Sequence, residues 1–130
     1  MEISIIINNY KTRGLLKQCL KGIYAFPPSS EFEVVVVDNN SGDGSVELVR
    51  EMFPQVKLIA SKENLGHHKG NNLGIKNSSG KYVLIMNSDI ALFDDAIDKM
   101  AEWFFRVRNA TDHVHCRDYR RASPRAFLSV

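Results

Sequence analysis

The stretch FEVVVVDNNSGDGS, residues 32–45, places four consecutive valines before a carboxylate, Asp38, and then a loop rich in Asn, Ser, Asp and Gly. A strand with one wet face alternates apolar and polar residues. This one does not alternate, so both of its faces must be covered, as in a parallel sheet flanked by helices. The neighbouring segments fit that frame. Ile3 to Ile7 is a β-branched run read as a first strand. Thr12 to Ala25 carries Leu15, Leu16, Cys19, Leu20 and Ile23 at helical spacing, and Pro27-Pro28 ends it. Asp43 is placed to cap a helix running to Met52, with Val46, Leu48, Val49 and Met52 as its apolar face. Val56 to Ala60 reads as a third strand, Leu65 to Asn77 as a weak helix and Tyr82 to Met86 as a fourth strand. Asp94 is expected to cap a last helix bearing Ile97, Met100, Phe104 and Val107.

The order βαβαβαβα predicts an α/β fold, a Rossmann-like doubly wound parallel sheet with strand order 3-2-1-4. In such sheets ligands bind beyond the carboxyl ends of the strands, at the point where the strand order reverses. The residues that end the strands are Asn8, Asn9 and Tyr10; Asp38, Asn39 and Asn40; Asn64 and Gly66; and Asn87, Ser88 and Asp89. All four groups are expected to face one crevice. The plainer account, that turns favour Asn, Ser and Asp, covers each group singly.

Composition narrows the function classes. The chain has 130 residues, 44% hydrophobic and 25% charged, with a net charge of +2. That suits one soluble domain and gives no electrostatic case for a nucleic-acid partner. Arg106, Arg108, Arg117, Arg120, Arg121 and Arg125 make the last quarter basic. Cys19 and Cys116 show no paired spacing, and nothing requires an oxidising compartment. MEISIII is no signal peptide and no apolar run is long enough to span a bilayer, so a cytoplasmic chain without a transmembrane segment is expected.

No Gly-x-Gly-x-x-Gly follows the first strand and no Walker lysine is present, which disfavours a dinucleotide cofactor. Asp38 can accept from an N–H of a ligand, such as a nucleobase edge, or can simply serve a well-capped loop. Gly66, Gly70 and Gly74 recur every fourth residue, and each costs a helix interior about 1 kcal/mol against alanine. Close packing on the sheet explains the later two, and approach of bare backbone to a phosphate explains the first. Lys69 is placed to meet a diphosphate, with a solvated lysine as the plainer account. His67-His68 and His113-Val114-His115-Cys116 lack a second half at zinc-site spacing. Asp89 differs: Mg²⁺ or Mn²⁺ needs only one or two protein carboxylates when substrate phosphates complete its shell.

The strand ending in Asn9-Tyr10, then VVVVDNNSGDGS, NLGHHKGNNLGI and GKYVLIMNSD, in that order over roughly residues 2 to 105, resemble the family-two glycosyltransferases, specifically the nucleotide-binding half of the GT-A fold in a rhamnosyltransferase-like branch. The resemblance implies that Asn8, Asn9, Tyr10 and Asp38 contact the nucleobase and ribose of a sugar nucleotide, with Asn40 in the same loop. Asn64, Gly66, Lys69 and Asn72 would line the donor pocket, while Asn87, Ser88 and Asp89 occupy the Asp-x-Asp position with Asp89 on the metal. It also implies an inverting transfer from a nucleotide-diphosphate sugar to a saccharide or lipid-linked acceptor, with a downstream Asp or Glu as general base.

Two departures stand out. Asn87 replaces an aspartate carried by many members, and only about forty residues follow Asp89. Residues 1–108 are expected to form the sugar-nucleotide-binding domain and 109–130 a basic, irregular or partly helical tail. No strand is predicted after the last helix, because RVRNATDHVHCRDYRRASPRAFLSV is not apolar enough. No catalytic residue is assigned, and neither Asp112 nor Asp118 is taken as the base. The alternative expectation is a truncated, inactive chain that keeps the fold and forms a homo-oligomer through uncovered surface. A receiver-like regulatory domain would want acids after the first strand, where Asn8 and Asn9 stand.

Overall fold

A computed structural model describes residues 2–110 and 126–129, with side chains described for residues 2–106. Its elements in chain order are β1 (Ile3–Asn9), α1 (Arg13–Ala25), β2 (Phe32–Asp38), α2 (Ser45–Met52), β3 (Lys57–Ala60), α3 (Gly66–Lys76), β4 (Tyr82–Asn87), α4 (Ala96–Ala110) and β5 (Ala126–Ser129). The strands form one parallel sheet in the order β3-β2-β1-β4-β5, so the expected 3-2-1-4 arrangement holds. The order reverses between β1 and β4, which pair from Ile3↔Tyr82 to Asn8↔Asn87.

β5 corrects the expectation of no strand after α4: it pairs in parallel with β4 from Tyr82↔Ala126 to Ile85↔Ser129. The polarity of the tail taken whole hides the short run Ala126-Phe127-Leu128. Four residues suffice here, because the edge of β4 offers a row of backbone groups that would otherwise lack partners. The tail's histidines, Cys116, Asp112 and Asp118 lie outside the described residues.

The continuous valine run is explained by the two cores. Val34 and Val36 join Ile5, Ile7, Leu84 and Met86 in the larger cluster, beneath Leu16, Cys19, Leu20 and Ile23 of α1, Leu48 and Val49 of α2 and Ile97 of α4. Val35 joins Ile6 and Val83 on the other face, where Ile75 of α3 packs. Burying each such side chain stabilises the fold by about 1.5–3 kcal/mol. Among the described residues no helix is long and apolar enough to cross a membrane.

Three side chains depart from the helical patterns. Leu15 and Met52, expected on the apolar faces of α1 and α2, are each 44% exposed. Asp94, expected to cap α4, sits at φ 52° before the helix, and it shares Lys99 with Asp95 as ion pairs at 3.4 and 2.7 Å. Asp43 does serve α2: it accepts from the Ser45 N–H and hydroxyl, while Gly44 takes the N-cap position at φ 85°. Burial pushes the Asp43 carboxyl up, but the bonds from Ser45 and from the Arg13 N–H outweigh it and hold the group below the usual carboxylate range.

Candidate nucleotide-binding cleft

The carboxyl ends of β1 and β4 open onto a cleft of about 380 Å³. It is lined by Asn8, Tyr10, Thr12, Leu15, Asn39, Asn64, Gly66, His67, Asn87, Ser88 and Asp89. Seven of the twelve residues singled out from the sequence therefore meet there: Asn8, Tyr10, Asn64, Gly66, Asn87, Ser88 and Asp89. Asp38 and Asn40 instead line a neighbouring hollow of about 410 Å³ with Ser45, Glu47, Arg50 and Ser61. Asn9 is fully buried beneath the cleft floor, and Lys69 and Asn72 line neither space.

The floor is a hydrogen-bonded frame that ties three strand ends together. The Thr12 hydroxyl donates to Asn9 Oδ1 at 2.7 Å and lies 2.8 Å from Ser88 Oγ. A hydroxyl has one hydrogen, so Ser88 is the donor in the second bond. Asn9 Nδ2 donates in turn to Asp38 Oδ1 at 2.8 Å and to Ser41 Oγ at 3.3 Å. Asp38 also accepts from the Ser41 N–H and hydroxyl, so both carboxylate oxygens are engaged and the residue is 2% exposed. A ligand N–H reaching Asp38 would share oxygens that already hold the frame.

The wall opposite β4 is the start of α3. Asn8 Nδ2 donates to the carbonyls of His67 (3.1 Å) and Gly66 (3.4 Å), while Asn8 Oδ1 accepts from Asn39 Nδ2. Asn39 Oδ1 accepts the Leu65 N–H, and Asn64 Oδ1 accepts the Gly66 N–H at 2.9 Å. Gly66 turns the chain into α3 at φ 75°, a conformation glycine adopts without the penalty of a Cβ. Gly70 gives Asn8 its room, since a Cβ there would lie 2.7 Å from Asn8 Nδ2. Thr12 and Leu15 are the lining residues that sequence reasoning left out, and Asn39 was expected at the crevice. Thr12 adjoins the strand ends, and that position was the available signal.

Asp89 contrasts with the frame. Its side chain is exposed, and among the described residues its carboxylate makes no hydrogen bond or ion pair. Asn87 is likewise exposed, though its carbonyl receives a weak bond from Cys19 Sγ at 3.9 Å. Burial, with a further contribution from the Asp89 charge, pushes the Cys19 thiol up to about 11, so it is no nucleophile. Among the described residues no three His, Cys, Asp or Glu side chains gather as a metal site. A cation at Asp89 would thus draw most of its oxygen ligands from substrate and water, the arrangement hard divalent cations accept.

A parallel sheet with a polar cleft at the strand-order reversal is the arrangement in which open α/β proteins bind their ligands. The chain belongs to glycosyl transferase family 2, whose family model matches residues 4–124. Glycosyltransferase AglE of Haloferax volcanii is 31% identical over 91 residues, which are 67% of this chain and 30% of that protein. Staphylococcus aureus TarS 1–349 in complex with UDP superposes with a TM-score of 0.72 at 26% identity, covering 82% of this chain and 32% of that one. Mannosyltransferase PcManGT from Pyrobaculum calidifontis, in complex with GDP-Man and Mn²⁺, gives 0.72 at 27% identity, covering 79% and 32%. The chain spans between 14% and 45% of the length of the curated relatives it matches.

Proposed function

We propose that this chain binds a nucleotide-diphosphate sugar together with Mg²⁺ or Mn²⁺, as the donor half of an inverting glycosyl transfer. The observation that carries the reading is Asp89, an exposed carboxylate without a protein partner, standing over a preformed polar cleft at the strand-order reversal. The UDP complex of TarS and the GDP-Man and Mn²⁺ complex of PcManGT support it from proteins of the same fold. Asp89 would hold the cation, with the Asn87 amide oxygen beside it as a weaker neutral ligand. A divalent cation so held stabilises the negative charge that gathers on a departing diphosphate. Asn8, Asn64 and the Gly66 backbone form the wall that would receive the nucleotide, and Tyr10, 44% exposed, offers it a ring face. In the transfer an acceptor hydroxyl bonds to the anomeric carbon, the bond from that carbon to the diphosphate oxygen breaks, and the hydroxyl proton passes to a base. No described residue is assigned as that base.

Titration calorimetry with UDP, GDP and dTDP, each with and without Mn²⁺, tests this reading. At least one nucleotide should bind, and should bind more tightly with the metal. Asp89→Ala should abolish the metal dependence and leave the melting temperature within a degree or so, because an exposed, unpartnered side chain adds little to stability. Absence of binding by all three nucleotides would overturn the proposal. Nucleotide binding without transfer to any acceptor would mark a donor-binding unit that does not catalyse.

A further inference from the structure

Among the described residues the cleft lining contains one carboxylate, Asp89, and neither lysine nor arginine. If it receives a diphosphate, as proposed above, a sugar nucleotide brings two further negative charges and a divalent cation cancels only two of the three. Among the described lining side chains, His67 is the one that can carry the missing positive charge. Its setting is unusual for a surface histidine. Asn71, one turn further along α3, lies with Nδ2 3.2 Å from His67 Nε2. Asn71 is only 7% exposed, and its Oδ1 is a buried oxygen with no hydrogen-bond partner.

With Nδ2 donating, Nε2 of a neutral ring is the acceptor and the ring hydrogen sits on Nδ1. Half a turn about χ2 exchanges Nδ2 for Oδ1, and the same side chain then accepts from Nε2–H of an imidazolium. The half-turn leaves Nδ2 where Oδ1 stood, so in either orientation one end of the Asn71 amide faces Nε2 and holds the ring in place, whether the ring is neutral or charged. The main chain is pinned independently, by Asn8 Nδ2 on the His67 carbonyl at 3.1 Å, so the ring changes state without moving its helix. Both residues lie in the first turns of α3, where the helix dipole favours an anion. The other ionisable groups nearby are Asp89 and Tyr10 on the lining, His68, whose ring meets His67 edge-on at 5.8 Å, and Lys11, whose ammonium lies 5.3 Å from the Tyr10 ring centre.

We propose that His67, in its protonated form, is a diphosphate-binding residue of the cleft and that Asn71 is its positioning residue. The test uses the 130-residue chain with Mn²⁺ and three probes: UDP, inorganic pyrophosphate and uridine. His67→Gln should weaken UDP and pyrophosphate about tenfold, the scale of one charge-assisted bond, and leave uridine unchanged. His67→Arg, which keeps the charge, should restore both. Asn71→Ala should weaken pyrophosphate in the wild-type background but not in His67→Arg, a coupling that general damage to α3 would not produce. The proposal is overturned if His67→Gln binds pyrophosphate like the wild type, if uridine is lost in parallel, or if Arg fails to rescue. Pyrophosphate binding that depends on His67, with no binding of UDP, GDP or dTDP, would uphold His67 while removing the nucleotide reading. Failure of pyrophosphate to bind the wild type while UDP binds would overturn the role of His67 and leave the nucleotide reading standing.

Discussion

Helix α3 lies close against the sheet at Gly74, and adding one carbon there gauges how close. A Cβ on Gly74 would stand 2.5 Å from Ile6 Cγ2 and 3.2 Å from Val37 Cγ2. Carbon atoms in contact sit about 3.5–4.0 Å apart, so the new methyl would be roughly 1 Å too deep. Neither neighbour can yield easily: Ile6 and Val37 are fully buried and lie in the paired strands β1 and β2. Overpacking of this kind costs about 1–3 kcal/mol, and rigid strands argue for the upper end. Alanine's better helix propensity returns about 1 kcal/mol. Gly74→Ala should therefore lose about 1–2 kcal/mol net, read as a lower urea midpoint at unchanged m. Gly14, in the first turn of α1, is the control, since nothing lies within 4 Å of its Cβ position. Gly14→Ala should stabilise by about 0.4–1 kcal/mol through the unfolded chain. A Gly74→Ala protein as stable as Gly14→Ala would show that α3 does not sit this close to the sheet.

Two further outcomes follow from named contacts. Thr12→Val keeps the side-chain shape but removes the hydroxyl between Asn9 and Ser88, which are 0% and 7% exposed; stranding their polar atoms should cost about 1–3 kcal/mol in urea unfolding, and an unchanged midpoint would refute the frame. At the opposite end of the sheet, burial pushes the Glu33 carboxyl up, but hydrogen bonds from Ser4, Ser79 and Gly80 outweigh it and set the group below its ordinary value. A lowered folded value gives stability that is present above the unfolded pKa and lost as pH falls through the folded one. The stability gap between wild type and Glu33→Gln should thus narrow as pH is taken down through the acid range, and a gap independent of pH would refute it.

The strand order was legible because the apolar runs left little choice of layer. Four valines in sequence cannot face water on either side, and chain connectivity did the rest. Leu15 misled because a helical stripe says which face is apolar and not where that face runs off the sheet; at the first turn of α1 it reaches the cleft instead of the core. β5 was hidden because its register with β4 is a long-range pairing across the chain, for which a four-residue run carries no periodic signal. At the site, strand ends were readable and hydrogen-bond roles were not. Asp38 and Asp89 are both carboxylates just beyond apolar strands, yet one is 2% exposed with both oxygens engaged and the other stands in the open.

That division separates a polar rim made by turn preferences from one built for a ligand. Asn9, Asp38, Asn39, Ser41 and Ser88 are each no more than 7% exposed, and they bond to one another or to Asn8 and Thr12. These bonds cross from β1 to β2 and, through Thr12, to the end of β4, so the strand ends are locked together by protein contacts alone. Local turn chemistry would satisfy each loop within itself, as the Asx and Ser contacts inside 38–45 and 61–66 and the Thr12 bond to Asn9 do. With its floor already fixed, the cleft asks little ordering of itself when a ligand enters, which is where binding free energy is otherwise lost. Charge removed from Asp89 should therefore change what the cleft binds, whereas charge removed from Asp38 should change whether the cleft exists.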